Sequence, residues 1–326
     1  MRHIVAVRRL AVAASLVSLA GCGGSGATSP GNNGTPLTGP GATWTAVTAA
    51  SGTSSWYGVA YGNSIWVAVG NGFRASSATG ATWTSAATPS SYYFQSTVRF
   101  ANGIFVAPSS LGVSTSANGT TWASQLLAST TTWTNADAQG LTSVTYGNGT
   151  WVIVDDRFLT TDVLAFFEST TNGGGWQQVL TTVPYSQPTS IAFGNGVFVV
   201  VGYGGLVATS TNVTTWTQRS LGSTSDLGLM SVTYAGGQFV AVTNSGKAYR
   251  SADGVTWTKA SVSAGALYAV AYGNGVFVAT GGGFFTSPDA VTWTSRTWSG
   301  AAGFEDVGFG NSRFVAIGSN SFATSQ

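Results

Sequence analysis

Apolar residues along this chain alternate with small or polar ones in short runs, and the same run returns about every forty residues. Val59, Val98, Val144, Ile191, Val232, Val270 and Val307 each stand two places before an aromatic residue. Those aromatics are Tyr61, Phe100, Tyr146, Phe193, Tyr234, Tyr272 and Phe309. A period of two puts successive side chains on opposite faces of a strand, so each run predicts a β-strand. The aromatic opens an aromatic-Gly-Asn triplet or a close variant. Its clearest turns are Asn102-Gly103, Asn148-Gly149, Asn195-Gly196 and Asn274-Gly275. Asn-Gly accepts positive φ at both central positions, which a two-residue hairpin demands. A second apolar run follows, such as Trp66-Val67-Ala68-Val69-Gly70 or Phe277-Val278-Ala279-Thr280-Gly281. A third strand leads to a small polar turn, and a fourth opens on Thr-Trp.

The triplets recur at 37 to 47 residues, the length of a four-stranded propeller blade. Seven triplets predict seven blades. The fourth strands carry Trp44, Trp83, Trp122, Trp176, Trp216, Trp257 and Trp293, again seven. Trp44 precedes the first triplet, so its strand has no blade of its own. At the other end Ser325 aligns with Ser210, and the last unit stops short of a tryptophan. The orphan strand fits that vacancy, and the exchange leaves no open sheet edge. The expected fold is therefore all-β: a seven-bladed β-propeller of four-stranded antiparallel blades over residues 41–326. The ring is closed by the N-terminal strand completing the last blade.

The turn before one tryptophan, Ser251-Ala252-Asp253-Gly254-Val255-Thr256-Trp257, resembles the Asp-box of sialidase-like (BNR-repeat) propellers. It is one residue shorter between Asp and Gly. Ser116 to Trp122 and Ser287 to Trp293 are degenerate copies, with Asn118 and Asp289 at the acidic place. The resemblance implies a repeat type whose boxes are structural turns remote from the ligand face. Sialidases of that kind also grip a carboxylate with three arginines. Here no Arg-Ile-Pro segment occurs, only Arg99 lies on an inner strand, and Arg219 and Arg296 fall near the periphery.

Composition changes the picture mainly at the N-terminus. Arg2, His3, Arg8 and Arg9 precede the short apolar run Leu10 to Ala20, too short to span a bilayer. It reads as a cleaved signal over residues 1–21. The run ends in Leu19-Ala20-Gly21-Cys22, similar to the lipobox of bacterial lipoproteins, and Cys22 is the sole cysteine. The resemblance implies lipidation of Cys22, with residues 22–40 a Gly/Ser/Thr/Pro tether. The chain is then exported and lipid-anchored at the cell envelope. Gly23 after Cys22 favours the outer membrane or cell surface if the host has an outer membrane. Removing residues 1–21 takes three of twelve Lys+Arg, leaving nine against ten Asp+Glu, and the only His. Nucleic-acid binding loses its basic face, and a zinc site loses its ligands. No cofactor is expected, and a monomer is.

Function is read from what varies on the rigid ring. The link from Trp122 to Tyr146 and the third unit are longer than their counterparts. They carry Asp137, Asp155, Asp156, Asp162 and Glu168 beside Trp133 and Arg157. This acidic, aromatic-bearing lobe is the candidate partner-binding site. A candidate channel site comes from Arg99, which stands where other inner strands carry Ala, Thr or Gly, with Glu305 and Asp306. Pairing among those three, or contact with channel water, is favoured over a ligand site. The reading is a binding or scaffold propeller for a protein or glycan partner, without catalysis. The alternatives are a sialidase-like glycoside hydrolase and a sugar-binding lectin using Tyr92, Tyr93, Trp133, Tyr185 and Trp298.

Overall fold

The Asn-Gly turns close as their chemistry requires. The computed structural model describes residues 39–52, 55–88, 95–127, 140–156, 162–222, 228–260, 262, 265–300 and 303–325. In it Asn63, Asn102, Asn148, Asn195, Asn274 and Asn311 take φ of 46–49°. The residues after them also have positive φ, and two of these, Ser64 and Ser312, are not glycine. These are primed turns whose twist matches the strands they join.

The described residues form seven four-stranded antiparallel sheets, each running from an inner strand outward. The inner strands are Trp56–Gly62, Arg99–Ala101, Leu141–Gly147, Pro188–Gly194, Leu229–Ala235, Leu267–Gly273 and Phe304–Gly310, for blades 1 to 7. Blade 7 takes its fourth strand, Trp44–Val47, from the other end of the chain, with Trp44 opposite Ser325 and Val47 opposite Phe322. The closure extends into the turn. In blades 1, 2 and 5 the box serine accepts a glycine N–H: Gly80 to Ser77, Gly119 to Ser116, Gly254 to Ser251, each at 2.8 Å. In blade 7 that bond joins the two ends, Gly41 N–H to Ser325 Oγ at 2.6 Å. One box turn is thus assembled from both ends of the ring.

Two repeated contacts hold neighbouring blades. In five blades the residue after the aromatic is glycine, and the next blade's aromatic ring lies on it; blades 2 and 5 carry Ala101 and Ala235 there. A methyl at Gly62, Gly147, Gly194, Gly273 or Gly310 would overlap the ring of Phe100, Phe193, Tyr234, Phe309 or Tyr61. Farther out, the residue three places before the box serine packs on the next blade's tryptophan. Phe166 stacks on Trp216 at 4.3 Å and Phe284 on Trp44 at 3.7 Å, both nearly parallel. Phe322 meets Trp83 edge-on at 5.0 Å. Apolar clusters accordingly lie between blades as well as within them, burying Trp56, Trp66, Trp151 and the second-strand phenylalanines.

The two faces of the ring differ. Asn63 Nδ2 in the first turn of blade 1 donates to Ala117 O in the box turn of blade 2. Arg313 of blade 7 donates likewise to Thr79 O in the box turn of blade 1. First turns and box turns therefore share one face, the box face. Second turns and blade-to-blade links make the other, the link face.

Candidate functional site

The inner strands leave an axial cavity of about 300 Å³. At the ring position before each aromatic it is lined by Ala60, Thr145, Ala192, Thr233, Ala271 and Gly308, and in blade 2 by Arg99. Among the described residues, Arg99 is the sole charged one lining it. Asp306, nearly buried on the inner strand of blade 7, approaches Arg99 Nη1 at 3.2 Å. The same Oδ2 accepts the Val59 N–H at 2.9 Å, and Oδ1 accepts the Val307 N–H. Ser143 and Ser190 do the first of these jobs in blades 3 and 4, accepting the N–H of Ile191 and Val232 in the next blade. Asp306 is that inter-blade acceptor with a charge added, which reaches Arg99. Pairing of these two is as anticipated. Glu305 is the bulged residue of its strand and half-buried.

The acidic lobe is described in part. Trp133, Asp137 and Arg157 lie outside the described residues. Asp155 is fully buried at the end of its strand, opposite Leu141 and Ala165. Asp156 is nearly buried and accepts the Tyr185 hydroxyl at 2.7 Å. Burial, then the Asp156 charge, pushes the Tyr185 phenol well above its ordinary pKa, so it stays a donor. Asp162 is exposed, with positive φ, and its carbonyl accepts the Tyr185 N–H at 3.0 Å. Glu168 requires a correction. It sits five residues along Val163–Ser169, one before the box serine Ser169, paired with Val152 and Gln177. At about 3.3 Å per residue that is the box end of the strand, away from the other acids. Partial burial there raises its carboxyl pKa.

What blade 3 builds on the link face is a projecting hairpin. Its third strand has 7 residues and its fourth, Gln177–Pro184, has 8, where the other fourth strands have 3 or 4. Ser169 fixes the box end, so the extra length stands on the link face. Tyr185 braces it to Asp156.

The DUF6242 beta propeller domain model matches residues 189–304, which span blades 4 to 6. No curated protein matches. Among solved structures, virginiamycin B lyase from Staphylococcus aureus is 10% identical with a TM-score of 0.73, over 86% of this chain and 98% of that one. YCF48 bound to D1 peptide is 15% identical with a TM-score of 0.66, over 91% and 98%. A streptogramin B lyase is 12% identical with a TM-score of 0.72, over 87% and 97%. At these identities the likeness is one of fold.

Other residues named from the sequence find ordinary partners. Arg219 and Arg296 sit on fourth strands and donate to Thr209 and Thr286 of the strand beside them, apart from Arg99. Trp298 packs edge-on against Phe284 and Phe304. Asp253 and Asp289 each accept two backbone N–H groups of their own turns. Sequence reasoning missed Arg74. It occupies the place held by Phe166 or Phe284 elsewhere, with its guanidinium 4.5 Å above the Trp122 ring. Gln95 and Ser114 accept its N–H groups at 2.8 and 2.6 Å. Burial lowers its pKa to about 10, leaving it charged at neutral pH. Aligning third strands on the box serine exposes it as the one cation in an otherwise apolar column.

Proposed function

We propose that this protein is an envelope-anchored binding propeller that holds a protein or glycan partner on its link face at blade 3. The observation that carries the reading is the strand pair Val163–Ser169 and Gln177–Pro184, the longest third and fourth strands among the described residues, whose extra length lies on the link face. A rigid disc with one projecting, braced element presents a fixed surface without needing chemistry at its centre. The lipobox-like Cys22 supplies the anchor in this reading, since two or more acyl chains hold stably. The box turns, with serine, acid or amide, and tryptophan in common hydrogen-bonded geometry, support a kinship with BNR-repeat propellers at the level of repeat type.

The test is capture from solubilised envelopes with the domain and two variants. Residues 155–168 should not be excised together, because Asp155 and Val163–Ser169 belong to the blade. Replacing 157–161 by a short Gly-containing turn leaves the strands whole. That variant should lose the partner, whereas Asp253→Asn on the box face should keep it. Retention by the first variant would contradict the reading. Cys22→Ser should move the protein from the membrane to the soluble fraction.

A further inference from the structure

The axial cavity occupies the half of the channel nearest the box face. Its lining comes from two or three consecutive positions of each inner strand, up to the repeated aromatic place, including half-buried Tyr61, Phe100, Tyr234 and Phe309. Its volume, about 300 Å³, falls at the small end of ligand cavities. Into it projects one guanidinium. Arg99 Nη1 is held by Val98 O at 2.9 Å and by Asp306 at 3.2 Å. Both restraints act on the same nitrogen. They leave the Nε and Nη2 edge without a hydrogen-bond partner among the described residues. That edge offers two parallel N–H donors, the geometry that matches a carboxylate side-on. Six of seven blades keep this ring position small, so nothing fills the space before Arg99. A surface cation would need no such clearance.

We propose that the axial cavity binds a small organic monocarboxylate, with the carboxylate on Arg99. A single negative charge is favoured over a phosphate. Asp306 already shares the one guanidinium, and no second cation lines the cavity. Asp306 is the positioning residue, and its own charge is satisfied by the N–H groups of Val59 and Val307. This site is separate from the partner surface at blade 3.

Titration calorimetry of the folded domain with benzoate, phenylacetate and indole-3-acetate tests it, with benzamide and inorganic phosphate as controls. At least one carboxylate should bind saturably at one per chain. Benzamide and phosphate should bind about tenfold more weakly or not at all. Ala271→Leu narrows the channel without changing charge and should cost about tenfold in affinity, while envelope capture by blade 3 is untouched. Arg99→Ala is made together with Asp306→Ser, which keeps the inter-blade acceptor used by blades 3 and 4. The pair should abolish binding with the melting temperature retained. The proposal is overturned if no carboxylate binds the native domain. It is equally overturned if benzamide binds as well, or if either variant binds normally.

Discussion

At the scale of single residues, the repeat is a set of steric and electrostatic necessities. Gly194 is glycine because the Tyr234 ring lies where its side chain would be. Gly194→Ala should therefore cost about 1–3 kcal/mol, the range for overpacking, read by denaturant melts. An unchanged midpoint would contradict the packing described. Asp253 shows the electrostatic side. The N–H groups of Thr256 and Val255, with Ser251, hold its carboxyl below the usual range, and those of Val291 and Thr292 do so for Asp289. A carboxylate with a depressed folded pKa contributes stability above its unfolded value of about 3.9. That contribution is lost as pH falls through the folded value. The melting temperature should drop on acidification below about pH 4, and Asp253→Asn with Asp289→Asn should shrink that drop. An equal drop in the double variant would show that the acid sensitivity lies elsewhere.

At the scale of strands and blades, one column of side chains staples each blade to the next tryptophan, and blade 1 does this with a cation. Arg74→Ala removes the stacked group and two hydrogen bonds, and should cost about 3 kcal/mol. Arg74→Leu should cost less, because five other blades fill that place with valine or phenylalanine. Tolerance of the alanine would mean that Arg74 is incidental. The strands and turns were legible in the sequence because they rest on local signals that recur from blade to blade, and the closure because the unmatched Trp44 answers a tryptophan missing after Ser325. Val-x-aromatic and Asn-Gly need no knowledge of neighbours. Arg74 was not legible, since a charge on a third strand reads as solvent-facing until the blades are set side by side. Glu168 failed for the same reason: its number lies near Asp162, but a seven-residue strand carries it to the other face.

At the scale of the whole molecule, a ring zipped at Gly41 and Ser325 is rigid, and what distinguishes its faces decides how it can work. The box face repeats similar turns around the ring, held by bonds within each turn and between neighbouring blades. The link face carries the projecting hairpin of blade 3. The pairing of Arg99 with Asp306 was legible from two charges at inner-strand positions otherwise filled by small or neutral residues. The brace from Tyr185 to Asp156 was not, because it depends on where a link crosses a strand end. The central claim is that partners engage the link face at blade 3. Site-specific photocrosslinking in intact envelopes tests it most directly, with a photoreactive residue placed at Asp162 in one protein and at Val255 in another. Both side chains are exposed, on the link and box faces respectively. A discrete adduct from position 162 and none from 255 is the result predicted. Adducts from 255 alone, or equally from both, would contradict the account.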